Sequence, residues 1–270
     1  MALHSATHPF TPALNIEPFV LDSPPTPSGK PLRVAAKRYR SLGKIPQDGI
    51  TLLLFHGLGQ HKEQWEPALE KLFTLHSERS NLPRIREAWA LDWQSHGEAA
   101  VLNEDALKDD PKSAPLDLWA SAIAGFLKSD LVAGHRLVGV GYSSGTVGLM
   151  LSTLAVFSEH ALKRSKDKDG NACVVGKCPA IHEASAFQVN LKNTWDAVEQ
   201  LSKLSQLVPI HVVYGENVDL MPQVIHDCVI KRIGTAASIT TVPDVGHTIM
   251  QERPDVVATT ISEILNHNQD

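Results

Sequence analysis

Leu137-Val138-Gly139-Val140-Gly141-Tyr142-Ser143-Ser144-Gly145-Thr146-Val147-Gly148-Leu149-Met150 holds the change of pattern on which the fold turns. Residues 137–140 are a short apolar run suited to a strand covered on both faces, whereas residues 144–163 begin small and continue as a long apolar helix. Gly141-Tyr142-Ser143-Ser144-Gly145 stands between them, and its small residues permit a sharp turn from strand to helix. Such a turn lifts Ser143 clear of the sheet, and the helix N-terminus behind it directs partial positive charge at an anion forming there. Ser143 is therefore the expected nucleophile. Ser144 is the rival hydroxyl, but its place at the helix start suits it to offering a backbone N–H.

The same alternation extends in both directions. Residues 33–39, 50–55, 85–91, 172–181, 210–214 and 238–242 read as strands. Residues 65–79, 116–128, 193–206, 222–233 and 254–266 carry helical spacing. This order predicts an α/β protein with a mostly parallel central sheet and helices on both faces, its ligands sitting beyond the carboxyl ends of the strands. Residues 1–31 hold seven of the 17 prolines and are expected to be an extended N-terminal segment, with one catalytic domain over 32–270. Only 28 residues separate Ile181 from Ile210, too few for a large helical cap, so any cap is expected to be reduced or absent.

Composition narrows the function. A net charge of −5 without a basic run gives no footprint for nucleic acid or an anionic membrane. No segment reaches the roughly 18 apolar residues of a membrane helix, and no export signal opens the chain, so a cytoplasmic protein acting on a small molecule is expected. The sequence does not specify an oligomeric state. Cys173, Cys178 and Cys228 are an odd set with no Cys/His pattern for zinc, so they read as buried, reduced thiols. No metal or cofactor is expected.

Three further stretches follow strand ends. Phe55-His56-Gly57-Leu58-Gly59 is placed to supply a second oxyanion N–H from Leu58, beside that of Ser144. His56 reads as a brace for that turn. Val245-Gly246-His247 follows the last strand and makes His247 the expected general base. Tyr214-Gly215-Glu216-Asn217-Val218-Asp219 offers two carboxylates for the acid. Asp219 is assigned, with Pro222 three residues on, while Glu216 and Glu183 remain alternatives; the acid is expected within about 3.2 Å of a His247 ring nitrogen.

On these residues the chain resembles the α/β-hydrolase superfamily from about Leu32 to its C-terminus. His56-Gly57-Leu58 is similar to the oxyanion turn of that family, and Asp92-Trp93-Gln94-Ser95-His96-Gly97 to its Asp-x-x-Gly-His-Gly loop, with Ser95 in place of a glycine. Residues 38–39, 100–103 and 251–254 are similar to fungal hydrolases associated with peroxisomes and toxin biosynthesis. The resemblance implies an α/β-hydrolase fold and a serine hydrolase acting on an ester or thioester. A carbon–carbon bond hydrolase or lyase sharing the triad is one alternative, and a non-catalytic small-molecule-binding protein is another.

Overall fold

The computed structural model describes residues 14–108, 114–160, 162–166, 172–176, 198, 201–220 and 222–267, with backbone alone for residues 153–160, 162–166 and 172–176. The elements run β1 (Leu14–Ser23), β2 (Leu32–Ser41), β3 (Ile50–Phe55), a 3-10 turn (Lys62–Trp65), α1 (Glu66–Glu78), β4 (Ile85–Leu91), α2 (Gly97–Leu102), α3 (Glu104–Leu107) and α4 (Leu116–Leu127). They continue with β5 (Arg136–Gly141), α5 (Ser144–His160), β6 (Leu162–Lys166), β7 (Ala172–Gly176), β8 (His211–Gly215), α6 (Gln223–Ile233), β9 (Ser238–Val242), α7 (Ile249–Glu252) and α8 (Pro254–His267).

Five strands form a sheet in the order β1-β2-β4-β3-β5. β4, β3 and β5 are parallel, with Leu54 in register with Ala90 on one side and Val140 on the other. β2 and then β1 extend the sheet antiparallel on the β4 side, with β1 at the edge, and β8 and β9 form a separate parallel pair. All six residues of β3 are buried, as a central strand covered on both faces requires. Its side chains alternate between two cores. Leu52 and Leu54 face Leu69 and Leu72 of α1 and Ala258 and Leu265 of α8. Leu53 and Phe55 face Trp119, Ile123 and Phe126 of α4 together with Trp89. A third cluster joins Met150 of α5 to Leu201 and Ile233, with Ile210 and Val212 packed against it.

Three readings need correction or extension. The Pro-rich start contributes a sheet strand: Leu14–Ser23 pairs with β2 along its whole length, including Pro18 opposite Lys37. An edge strand tolerates proline because only one side of its backbone must join the ladder. The strand expected from residue 172 is one arm of an antiparallel hairpin with β6, outside the main sheet. The long helix, expected to run to residue 163, stops at His160. Of the expected helix over 193–206, Val198 and residues 201–204 are helical and residues 205–206 are a turn; residues 193–197 and 199–200, like most of the span from 181 to 210 that bears on a cap, lie outside the described residues. Cys228 is a free, half-buried thiol, and the side chains of Cys173 and Cys178 lie outside the described residues.

The two-sided core makes a direct prediction. Leu53→Ala removes a fully enclosed side chain and is expected to lower unfolding free energy by about 2–5 kcal/mol in urea titrations. Val20→Ala on the exposed side of β1 is expected to change it by less than about 0.5 kcal/mol. Equal effects would contradict the placement of β3.

Candidate active site

β3, β4 and β5 point their carboxyl ends at one edge of the sheet, and the turns after β3 and β5 bear candidate residues. At the end of β5, Ser143 adopts φ 53°, a left-handed conformation rare for a residue with a side chain. The turn is pressed against the end of β3: a Cβ on Gly145 would lie 2.2 Å from the Phe55 carbonyl oxygen, so only glycine fits. Tyr142 N–H donates to the same carbonyl at 3.0 Å. The sharp turn places Ser143 Oγ 3.0 Å from His247 Nε2, so the expected nucleophile and base meet across 104 residues of sequence.

The turn after β3 is braced by His56. Its Nε2 accepts the Trp93 N–H at 3.0 Å, which leaves Nδ1 to donate to the Gly57 carbonyl at 2.8 Å. Burial pushes the His56 pKa down to about 4, outweighing the favourable pull of Gly57 and Asp92. His56 is thus a neutral brace, as read from sequence. The Gly57 carbonyl also accepts Gln60 N–H at 3.2 Å. Because N–H and C=O point opposite ways across a trans peptide, holding this carbonyl inward turns the Leu58 N–H away from His56. Among the described residues, neither the Leu58 nor the Ser144 N–H donates a hydrogen bond. The Leu58 side chain is 69% exposed.

An ion cluster beneath this turn went unread in the sequence. Lys62 and Asp92 are both fully buried; Nζ donates to Oδ2 at 2.8 Å, and Asp92 also accepts the main-chain N–H groups of Lys62 at 2.8 Å and Glu98 at 3.0 Å. Asp92 therefore clamps the turn after β3 to the one after β4. Burial works against ionisation of neighbouring Glu63, but hydrogen bonds from Lys62, His61 and Lys37 overcome it and hold its pKa near about 2. Asp92 and Lys62 lie 30 residues apart in polar stretches, and each alone resembles a solvated charge.

Both acid candidates on the loop after β8 reach the histidine loop through its main chain. Asp219 accepts the His247 N–H at 3.0 and 3.1 Å, and Glu216 accepts the Asp244 N–H at 3.2 Å. Asp219 has its pKa lowered first by the His247 backbone bond and then by that of Leu220. The loops approach so closely that a Cβ on Gly246 would lie 1.9 Å from Asp219 Oδ2. Among the described residues no carboxylate hydrogen-bonds a ring nitrogen of His247; Glu183 lies outside them. The described residues contain no cluster that could hold a metal, and no described helix is long and apolar enough to cross a membrane.

A strand-turn-helix serine and a histidine from the loop after the last strand, set at the carboxyl edge of a mostly parallel sheet, are the arrangement of an α/β hydrolase. The chain belongs to that family: residues 52–191, just over half its length, match the model of the alpha/beta hydrolase family. Among curated relatives, a type I acyl-CoA thioesterase of Penicillium roqueforti is 32% identical over 128 residues, and one of Penicillium brevicompactum is 29% identical over 133. Each match covers 46% of this chain and 27% of the relative, so the matched stretch spans only about a quarter of those proteins. Among solved structures, a peroxisomal alpha-beta-hydrolase of Saccharomyces cerevisiae has a TM-score of 0.69 at 12% identity, covering 94% of this chain and 89% of the other. Carboxyl esterase 2 of Tuber melanosporum has a TM-score of 0.55 at 14% identity, covering 98% and 89%.

The imidazoles of His56, His76, His96, His135 and His226 are all depressed chiefly by burial. Such groups stay neutral in the folded chain after the unfolded chain has begun to protonate near pH 6.5, so stability is lost as pH falls below that value. Urea midpoints are expected to decline from about pH 6.5 toward pH 4, with His56 contributing to the end of that range. A midpoint that stays flat between pH 7 and pH 5 would contradict this reading.

Proposed function

We propose that the protein is a serine hydrolase that cleaves a carboxylic ester or thioester of a small molecule through an acyl-enzyme on Ser143. The observation that carries this reading is the 3.0 Å approach of His247 Nε2 to a Ser143 Oγ held out on a left-handed turn. The names of the Penicillium relatives favour including acyl-CoA thioesters among the substrates.

In this mechanism Ser143 Oγ attacks the substrate carbonyl carbon while His247 Nε2 accepts its proton. The oxyanion is held by the N–H groups of Leu58 and Ser144, each contributing on the order of 3 kcal/mol. The intermediate collapses, the imidazolium gives its proton to the departing alcohol or thiol, and the acyl group remains on Ser143. Water then attacks the acyl-enzyme with His247 again as base, releasing the acid and restoring the serine. Asp219 holds the His247 main chain and stabilises the imidazolium through space.

Steady-state kinetics on short-chain p-nitrophenyl esters and acyl-CoA thioesters test this reading. Ser143→Ala and His247→Ala are each expected to lower kcat by roughly 10⁴ or more. Asp219→Asn is expected to lower it about ten- to hundredfold, less than the roughly 10⁴ of an acid bonded to the ring, and Glu216→Gln less again. Retained turnover in Ser143→Ala would remove the nucleophile, and a Glu216 effect larger than that of Asp219 would move the acid.

A further inference from the structure

We propose that Tyr142, the residue before the nucleophile, is a positioning residue that sets His247 from its carbonyl side. The inference rests on the reading of Ser143 and His247 as nucleophile and base. The Tyr142 hydroxyl donates to the His247 main-chain carbonyl at 2.7 Å, and the two rings stack with centroids 5.6 Å apart and an interplanar angle of 29°. Asp219 takes the N–H of the same residue. His247 lies before α7, outside regular secondary structure, yet both its main-chain polar groups are taken by side chains from two other loops. With the backbone fixed, only two side-chain torsions remain to set Nε2 on Ser143, and the stacked Tyr142 ring limits the swing of the imidazole.

Tyr142 is itself well anchored. Its N–H is bound to the Phe55 carbonyl at the end of β3, and its ring lies where a Cβ on Gly57 would come within 3.0 Å of two ring carbons. One side chain therefore links the elbow, the turn bearing Leu58 and the loop bearing His247. A phenylalanine would keep the packing against the core but leave the His247 carbonyl without its donor. The ring face, within about 6 Å of the imidazole, also favours the cation that forms during catalysis.

Tyr142→Phe removes the hydroxyl alone, and Tyr39→Phe is the control. Tyr39 is a buried tyrosine whose hydroxyl donates to Glu66 at 3.1 Å, away from the catalytic pair. Two readouts are compared with wild type: steady-state ester hydrolysis, and the second-order rate of Ser143 labelling by a fluorophosphonate. Tyr142→Phe is expected to lower kcat and the labelling rate together by about tenfold, with KM within about twofold and Tm within about 2 °C. Tyr39→Phe is expected to leave kcat within about twofold of wild type. A Tyr142→Phe enzyme matching wild type in both rates overturns the inference while leaving the proposed function standing. Equal losses of kcat in the two variants overturn it as well, because general loosening would then account for both. If the wild-type protein neither turns over esters nor labels at Ser143, the proposed function fails and this inference with it.

Discussion

Ser143 can meet His247 only because the chain reverses within a few residues at the end of β5, and that reversal requires a left-handed residue with a side chain. Holding Ser143 at φ 53° costs about 1–3 kcal/mol of backbone strain. The strain is sustained by the packing beneath it: Gly145 lies against the last carbonyls of β3, and β3 is a central strand enclosed by helices on both faces. The buried strand therefore does more than fill the core. It is the surface against which the turn is pressed, and the turn determines where the hydroxyl projects.

The loops around Ser143 are tied by different kinds of bond, each suited to its surroundings. Under the turn after β3 the surroundings are dry, and the ties are a neutral imidazole and the Lys62–Asp92 pair, whose carboxylate is further satisfied by two main-chain N–H groups. A buried charge is tolerable when its partners are this complete, and removal of either member would leave the other stranded. Around His247 the surroundings are wetter, and the ties are main-chain N–H groups donating to carboxylates and one tyrosine hydroxyl donating to a main-chain carbonyl. Close approach there depends on Gly246, beside which Asp219 sits with no room for a side chain.

Much of the fold is legible in the sequence. Strands 50–55, 85–91 and 238–242 have the same bounds in the sequence reading and in the structure: the first is a nearly unbroken apolar run, and all three are rich in apolar or β-branched residues and end at polar or glycine-bearing turns. Ser143 and His247 stand out as candidates in the sequence because each follows a strand at its carboxyl end, β5 of the main sheet for one and β9 of the separate pair for the other. β1 was not read as a sheet strand, since Pro18 is compatible with a strand only at an edge and edge position is a tertiary property. The β6–β7 hairpin was missed because an apolar run reveals its period but not which strand it will join. Tyr142 occupies a variable position of the motif, and Lys62 looks solvated until Asp92 is brought to it; neither role leaves a mark in local sequence.

A covalent intermediate at one named oxygen is the most direct consequence of the proposed chemistry. Rapid acid quench during turnover of an activated short-chain ester, followed by peptide mass spectrometry, is the measurement that reaches it. An acyl mass increment is expected on Ser143 in the wild-type protein and none on the same peptide from Ser143→Ala. An increment on Ser144 or on a cysteine, or steady turnover with Ser143 unmodified at every quench time, would contradict it.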